Sequence, residues 1–68
     1  MEKVLVIKRD GFATHEGTEA KCEAVFDGAV KAMDTIPAQA IGAVVAVFWF
    51  DKTGELCARY PERNLNEI

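Results

Sequence analysis

A run of seven apolar residues, Val44–Phe50, dominates the hydrophobic pattern of this chain. A strand with one face in water alternates apolar and polar side chains, and this run does not alternate. The pattern therefore predicts a strand that is covered on both faces. The chain has only 68 residues, so little of it remains to provide that cover.

Two further elements precede this strand. Residues 4–7 form a short β-branched run that Asp10-Gly11 ends with a turn signal, which predicts a first strand. From Thr18 the apolar period becomes helical, with Thr14 or Thr18 as the N-cap. Pro37 disfavours helical geometry at the residue before it, so the helix should end within residues 33–35. Its apolar face comprises Cys22, Val25, Phe26, Ala29, Met33 and Ile36.

The segment after the apolar run predicts a β-hairpin. Residues 51–54, Asp-Lys-Thr-Gly, fit a type I turn closed by a left-handed glycine. The third strand should end at Tyr60, because Pro61 has no N–H to donate to a ladder. An unbroken ladder then pairs Phe50 with Leu56, Trp49 with Cys57, Phe48 with Ala58, and Val47 with Arg59.

These elements predict one α+β domain over residues 1–68, in the order β-α-β-β. The apolar strand should lie in the centre of a three-stranded sheet, with the first strand parallel to it through a right-handed crossover. The last strand should be antiparallel on the other side. One amphipathic helix should cover one face of this sheet.

The predicted register divides the hairpin into two apolar faces. The face assigned to the core, with Phe26 of the helix packed on it, carries Val44, Ala46, Phe48, Phe50, Leu56, Ala58 and Tyr60. The second face has no helix to cover it, and monomers rarely expose such a patch. We therefore expect a homo-oligomer that buries this second face, with the interface at Val45, Val47, Trp49, Cys57 and Arg59. The alternative is that residues 61–68 fold back and cover the patch with Leu65 and Ile68.

Composition narrows the possible functions. A domain of this size buries only about 60% of its unfolded surface, so association is a natural supplement to a small core. The net charge of −3 and the absence of a basic run argue against nucleic-acid binding. The apolar run is too short to span a membrane. No signal peptide precedes the two cysteines, so we expect a cytoplasmic location with reduced thiols.

The residues capable of chemistry do not form a catalytic pattern. His15 is the only histidine and falls in the predicted loop of residues 10–17. Cys22 lies on the apolar helix face, and Cys57 has no neighbouring base in the sequence to activate it. The carboxylates are scattered, and no His/Cys cluster suggests a metal. The sequence therefore predicts a protein that is not an enzyme and has no cofactor.

The order of a short strand, one helix and then "VVAVFWFDKTGELCARY" resembles very small proteins encoded by phages and prophages. The resemblance covers residues 18–60. It implies an oligomer that counters host defence, either by sequestering a nucleotide-like signal at a subunit interface or by binding a host protein. The cations available to such a ligand are Arg9, Arg59 and Arg63, together with Lys8 and His15. The alternative function is a protein–protein interaction module, an inhibitor or an assembly component, that uses the Trp49 face or the hairpin edge.

Overall fold

The computed structural model describes residues 1–37 and 40–61. Within them the chain forms four strands and one helix. In chain order these are β1 (Glu2–Lys8), β2 (Gly11–Gly17), α1 (Glu19–Thr35), β3 (Val44–Phe50) and β4 (Leu56–Tyr60).

The sheet has the strand order β2-β1-β3-β4, and each neighbouring pair is antiparallel. The predicted α+β class and the central place of β3 between β1 and β4 are confirmed. The predicted number of strands is wrong, because the sheet has four strands and not three. The predicted parallel pairing of β1 with β3 is also wrong. Helix α1 follows β2 and not β1. The β1–β2 hairpin therefore reverses the direction of the chain before the helix connects to β3.

Strand β2 is the element that the sequence pattern did not reveal. Residues 11–17 were expected to be a loop, but Arg9 and Asp10 form a tight turn and Gly11 then pairs with Lys8. The pairing continues to Glu2 opposite Gly17. Because β2 is an edge strand with mostly exposed side chains, its residues show little apolar alternation.

Helix α1 has the ends that its sequence predicts. Thr18 is the N-cap, and its Oγ1 accepts a hydrogen bond from the Lys21 backbone N–H at 3.3 Å. The helix ends at Thr35, two residues before Pro37. Of its predicted apolar face, Cys22 and Ala29 are buried, and three more residues, Val25, Phe26 and Met33, pack against the core. Ile36 lies beyond the helix and is exposed.

The core lies between α1 and one face of the sheet. Its buried residues are Val4, Val6, Cys22, Ala29 and Val47. Trp49 packs beside them, with its ring centroid 5.9 Å from that of Phe26. The indole N–H donates to Glu2 Oε1 at 2.7 Å, which satisfies the polar end of a half-buried side chain.

The two faces of β3 from Ala46 to Phe50 are therefore exchanged relative to the sequence prediction, whereas Ala58 and Tyr60 of β4 remain on the helix side as predicted. Val47 and Trp49 face the helix, whereas Phe48 and Phe50 do not. The predicted placing of Phe48 in the core is wrong. Part of the reason is a β-bulge at Cys57, which leaves Phe50 opposite Leu56 but moves the next pair to Trp49 with Ala58. One extra residue on one strand changes which side chains share a face.

The turn between β3 and β4 has the predicted geometry. The Gly54 N–H donates to the Asp51 carbonyl at 3.0 Å, and Gly54 has a φ of 90°. The Asp51 side chain organises the turn, because its Oδ1 accepts the backbone N–H groups of Thr53 at 2.8 Å and Glu55 at 3.1 Å. The Thr53 hydroxyl donates to the same oxygen. This hydroxyl and these amides hold the pKa of the Asp51 carboxyl below its ordinary value of 3.8.

This lowered pKa predicts a pH dependence that Asp51→Asn removes. A carboxyl whose pKa is lower in the folded state stabilises the fold above pH 3.8, the ordinary pKa of the group. That stabilisation is lost as the pH falls through the pKa of the folded state. Wild type should therefore exceed Asp51→Asn in melting temperature at pH 7, and the gap should narrow between pH 4 and pH 2. Circular dichroism melts of both proteins measure this gap. Glu55→Gln is the matched control for loss of one negative charge, and a gap that stays constant would contradict the assignment.

Candidate functional site

The face of the sheet opposite α1 is the candidate functional site, and we call it the open face. Its residues follow from the cross-strand pairs, since paired residues point to the same side. Three rows run from β2 through β1 and β3 to β4. The first row is Glu16, Lys3, Phe50 and Leu56; the second is Thr14, Leu5, Phe48 and Arg59; the third is Phe12, Ile7 and Ala46.

The centre of the open face is apolar. Leu5 and Phe48 lie next to each other in the middle row, with Ile7 and Phe50 diagonally beside them. Their neighbours shield these side chains only in part, so all four are half-buried. The apolar surface reaches both edges of the sheet, because Phe12 on β2 is 72% exposed and Leu56 on β4 is 46% exposed.

Charged groups occupy the margins of this face. Lys3 Nζ lies 3.5 Å from Glu16 Oε1 in a cross-strand ion pair at the β2 side. Arg59 is on β4, at the opposite side, in the row of Leu5 and Phe48. An exposed ion pair contributes little to stability, about 0–1 kcal/mol. An apolar centre with a polar margin is the usual organisation of a protein–protein interface.

The area of the open face is close to that needed for a specific protein–protein contact. With strands about 4.8 Å apart and same-face residues about 6.8 Å apart, it covers about 400 Å² of sheet plane. Two such faces in contact would bury about 1,000 Å² of accessible surface once the relief of the side chains is included, which is about the lower bound for a specific interface. The largest apolar patch of a monomeric protein typically covers about 300–600 Å² and is often functional.

The interface residues predicted from the sequence divide between three places. Val47 and Trp49 belong to the core beneath α1, so their assignment to an uncovered face is wrong. Val45 and Cys57 are each the extra residue of a β-bulge, and both are exposed. Arg59 alone lies on the open face, opposite Phe48. The principal residues of the open face, Leu5, Ile7, Phe12, Phe48 and Phe50, were not predicted as interface.

The cations predicted to bind a ligand are not gathered at one place. Arg9 is in the turn between β1 and β2, whereas His15 lies near the other end of β2, opposite Val4. His15 therefore points to the helix side of the sheet and Arg59 to the open face, on the opposite edge strand. Arg63 lies outside the described residues, as do Leu65 and Ile68, which the alternative fold-back would place over the uncovered face. Within the described part of the chain, these side chains do not form a common site.

The two thiols differ in their surroundings. Cys22 is buried in the core. Cys57 is exposed, and its Sγ donates to the Trp49 carbonyl at 3.3 Å across the bulge. Local desolvation, and then the carboxylates of Glu2 and Asp51, raise the pKa of the Cys57 thiol. Since the thiolate is the nucleophilic form, a raised pKa reduces the fraction of Cys57 that is nucleophilic at neutral pH.

A hydrogen bond ties the last strand to the helix. Tyr60 Oη donates to Asp34 Oδ1 at 3.0 Å, and this bond to the carboxylate raises the pKa of the phenol. Tyr60 pairs with Val47 on β3, so it lies on the helix side as predicted. The contact holds β4 beneath the C-terminal half of α1 and leaves Arg59 directed to the open face.

Residues 1–37 and 40–61 contain no group of three or more His, Cys, Asp or Glu side chains arranged to hold a metal ion. The helix in the same part of the chain does not have the length and apolar character needed to cross a membrane. Comparison with protein-family models, with curated proteins and with solved structures found no match.

Proposed function

We propose that this protein is a small, non-enzymatic homo-oligomeric binding protein whose copies associate through the open face. The observation that carries the proposal is the exposure of Phe12 and Leu56 at the two ends of a continuous apolar surface. Helix α1 occupies the opposite side of the sheet. Association would remove this apolar surface from water, and burial of apolar surface is favourable by about 25 cal/mol for each Å².

A second copy is the occupant that fits this face best. In a two-fold pair the same surface meets itself, so a single sequence supplies both halves of the contact. The face is apolar in the middle and carries charges of both signs at its margins, with Arg59 at one edge and Glu16 at the other. Face-to-face packing of two sheets at about 10 Å is a common way to build a core from alternate strand residues.

The resemblance to small phage proteins supports a role for the oligomer in counteracting host defence. The proposed ligand is nucleotide-like, and the cations at the margin of the open face, Lys3 and Arg59, are placed where two subunits would meet. A phosphate at such a boundary would be held by donors from both copies. Native mass spectrometry of protein purified from cells tests this part, because it reports the oligomer mass and any retained nucleotide together.

A second candidate function is binding of a different protein through a sheet edge. Strands β2 and β4 are the two edges of the sheet, and β2 runs without a bulge over Gly11–Gly17. An edge strand whose outer N–H and C=O groups are unpaired within residues 1–37 and 40–61 can accept an added strand from a partner. The part of this alternative that relied on the Trp49 face is wrong, because α1 covers that face.

Sedimentation equilibrium on the wild-type chain tests self-association directly. We expect a mass above 7.5 kDa at tens of micromolar, with a shift toward the monomer on dilution. The melting temperature should also rise with protein concentration, since association stabilises only the folded chain. A single 7.5 kDa species throughout this range would refute the proposed function and favour the second candidate.

A further inference from the structure

The charges on the open face are placed asymmetrically, and this restricts how two copies can meet. Glu16 is on edge strand β2 and Arg59 is on edge strand β4, with the apolar side chains of β1 and β3 between them. This inference rests on the proposed self-association. It concerns the orientation of the second copy.

Two sheets that stack with their strands roughly aligned can be related by a two-fold axis in one of two directions. If the axis lies across the strands, each strand faces itself in the partner. A contact centred on the row of Leu5 and Phe48 then also places Arg59 against Arg59 of the partner subunit, because Arg59 belongs to that row. Like charges brought together in this way oppose association.

If the axis instead runs along the strands, between β1 and β3, strand β4 faces β2 of the partner. Leu5 then packs on Phe48 of the partner subunit, and Ile7 packs on Ala46 of the partner subunit. Arg59 lies opposite Thr14 of the partner subunit and one same-face position, about 7 Å, from Glu16 of the partner subunit. The long Arg59 side chain can span this offset of about 7 Å along the strand. The two-fold axis generates a second, identical Arg59–Glu16 pair.

We infer that two copies stack with β4 over β2, so that Arg59 of each subunit pairs with Glu16 of the other. The apolar rows are buried in both orientations. The charges of Arg59 and Glu16 favour only the orientation with the axis along the strands. Charge complementarity of this kind sets the register of an interface more than its total affinity. Glu16 retains Lys3 as its partner within the subunit, and a carboxylate has acceptor capacity for both cations.

Charge reversal tests this pairing. Arg59→Glu and Glu16→Arg should each raise the dimer dissociation constant about tenfold at low salt. The double variant Arg59→Glu/Glu16→Arg keeps the formal net charge of −3 and should recover the wild-type value to within about threefold. Lys52→Glu, in the β3–β4 turn, is the control that makes the same change in net charge as Arg59→Glu.

Mixing experiments separate the two orientations. An equal mixture of Arg59→Glu and Glu16→Arg should form a heterodimer tighter than either homodimer, since both cross-subunit pairs in it join opposite charges. If Arg59→Glu pairs best with wild type instead, the axis lies across the strands and the inference is overturned. Full dimerisation of both single variants would overturn it too, while leaving the proposed function intact. A monomeric wild type would refute the proposed function itself.

Discussion

Val47→Asp is expected to abolish folding. Val47 is fully buried at the middle of β3, between Val6 on one side and Tyr60 on the other. The substitution removes about 1.5–3 kcal/mol of apolar burial and places a carboxylate where no water reaches it. A domain with about 5 kcal/mol of stability cannot retain its fold after both losses. Far-UV circular dichroism and amide dispersion in a proton–nitrogen NMR spectrum measure the outcome.

Val45→Asp is the matched control for this prediction. The substitution is identical and lies two residues away on the same strand, but Val45 is 39% exposed at a bulge. Its new carboxylate would remain in water, so this variant should melt cooperatively with a modest loss of stability. If Val47→Asp also melted cooperatively near the wild-type temperature, Val47 would not belong to the core and the assignment of the two sheet faces would be wrong.

The local elements of this fold are readable from the sequence because each has its own chemical signal. Thr18 and Pro37 delimit the helix, and Asp51 with Gly54 specifies the turn of the second hairpin. These signals act over a few residues and do not depend on the rest of the chain. The helix face that packs on the sheet follows from the same kind of local periodicity.

Strand β2 could not be identified in this way. Its side chains are mostly exposed, and Gly11 and Gly17 at its ends weaken any strand propensity. What makes it a strand is the tight turn at Arg9 and Asp10 and the unbroken ladder with β1. Missing one strand also reverses the inferred direction of the chain, and this accounts for the wrong parallel pairing of β1 with β3.

The faces of β3 were predicted wrongly because the run Val44–Phe50 contains no polar residue to mark the outer side. The choice therefore depended on the register with β4, and the bulge at Cys57 shifts that register by one residue. Val4, Val6 and Val47 lie toward the helix with Trp49 beside them, whereas Phe48 and Phe50 point outward. The sequence therefore predicted that one apolar face of the sheet is uncovered by the helix, but it did not identify the residues that form this face.

Phe48→Asp, one residue beyond Val47, is expected to abolish association while leaving the subunit folded. Phe48 points to the open face and is paired with Arg59 on β4 and Leu5 on β1. In a free subunit the new carboxylate would lie in water beside the Arg59 guanidinium, so the cost should be limited to about 1–2 kcal/mol of lost strand packing. Secondary structure should be retained.

In the proposed dimer the same change would fall at the centre of the contact, and two-fold symmetry would place it there twice. Each carboxylate would be taken out of water by the apolar surface of the other copy, at a cost of at least about 2 kcal/mol apiece. Together these costs weaken the dimer by a factor of about 1,000. Sedimentation equilibrium should therefore show a monomer.

Phe48→Leu, which keeps an apolar side chain, is the control and should still associate. If Phe48→Asp remained an oligomer of wild-type stability, copies would meet elsewhere, at the exposed edge of β2 for example. If it unfolded with no dependence on protein concentration, Phe48 would belong to the intramolecular core.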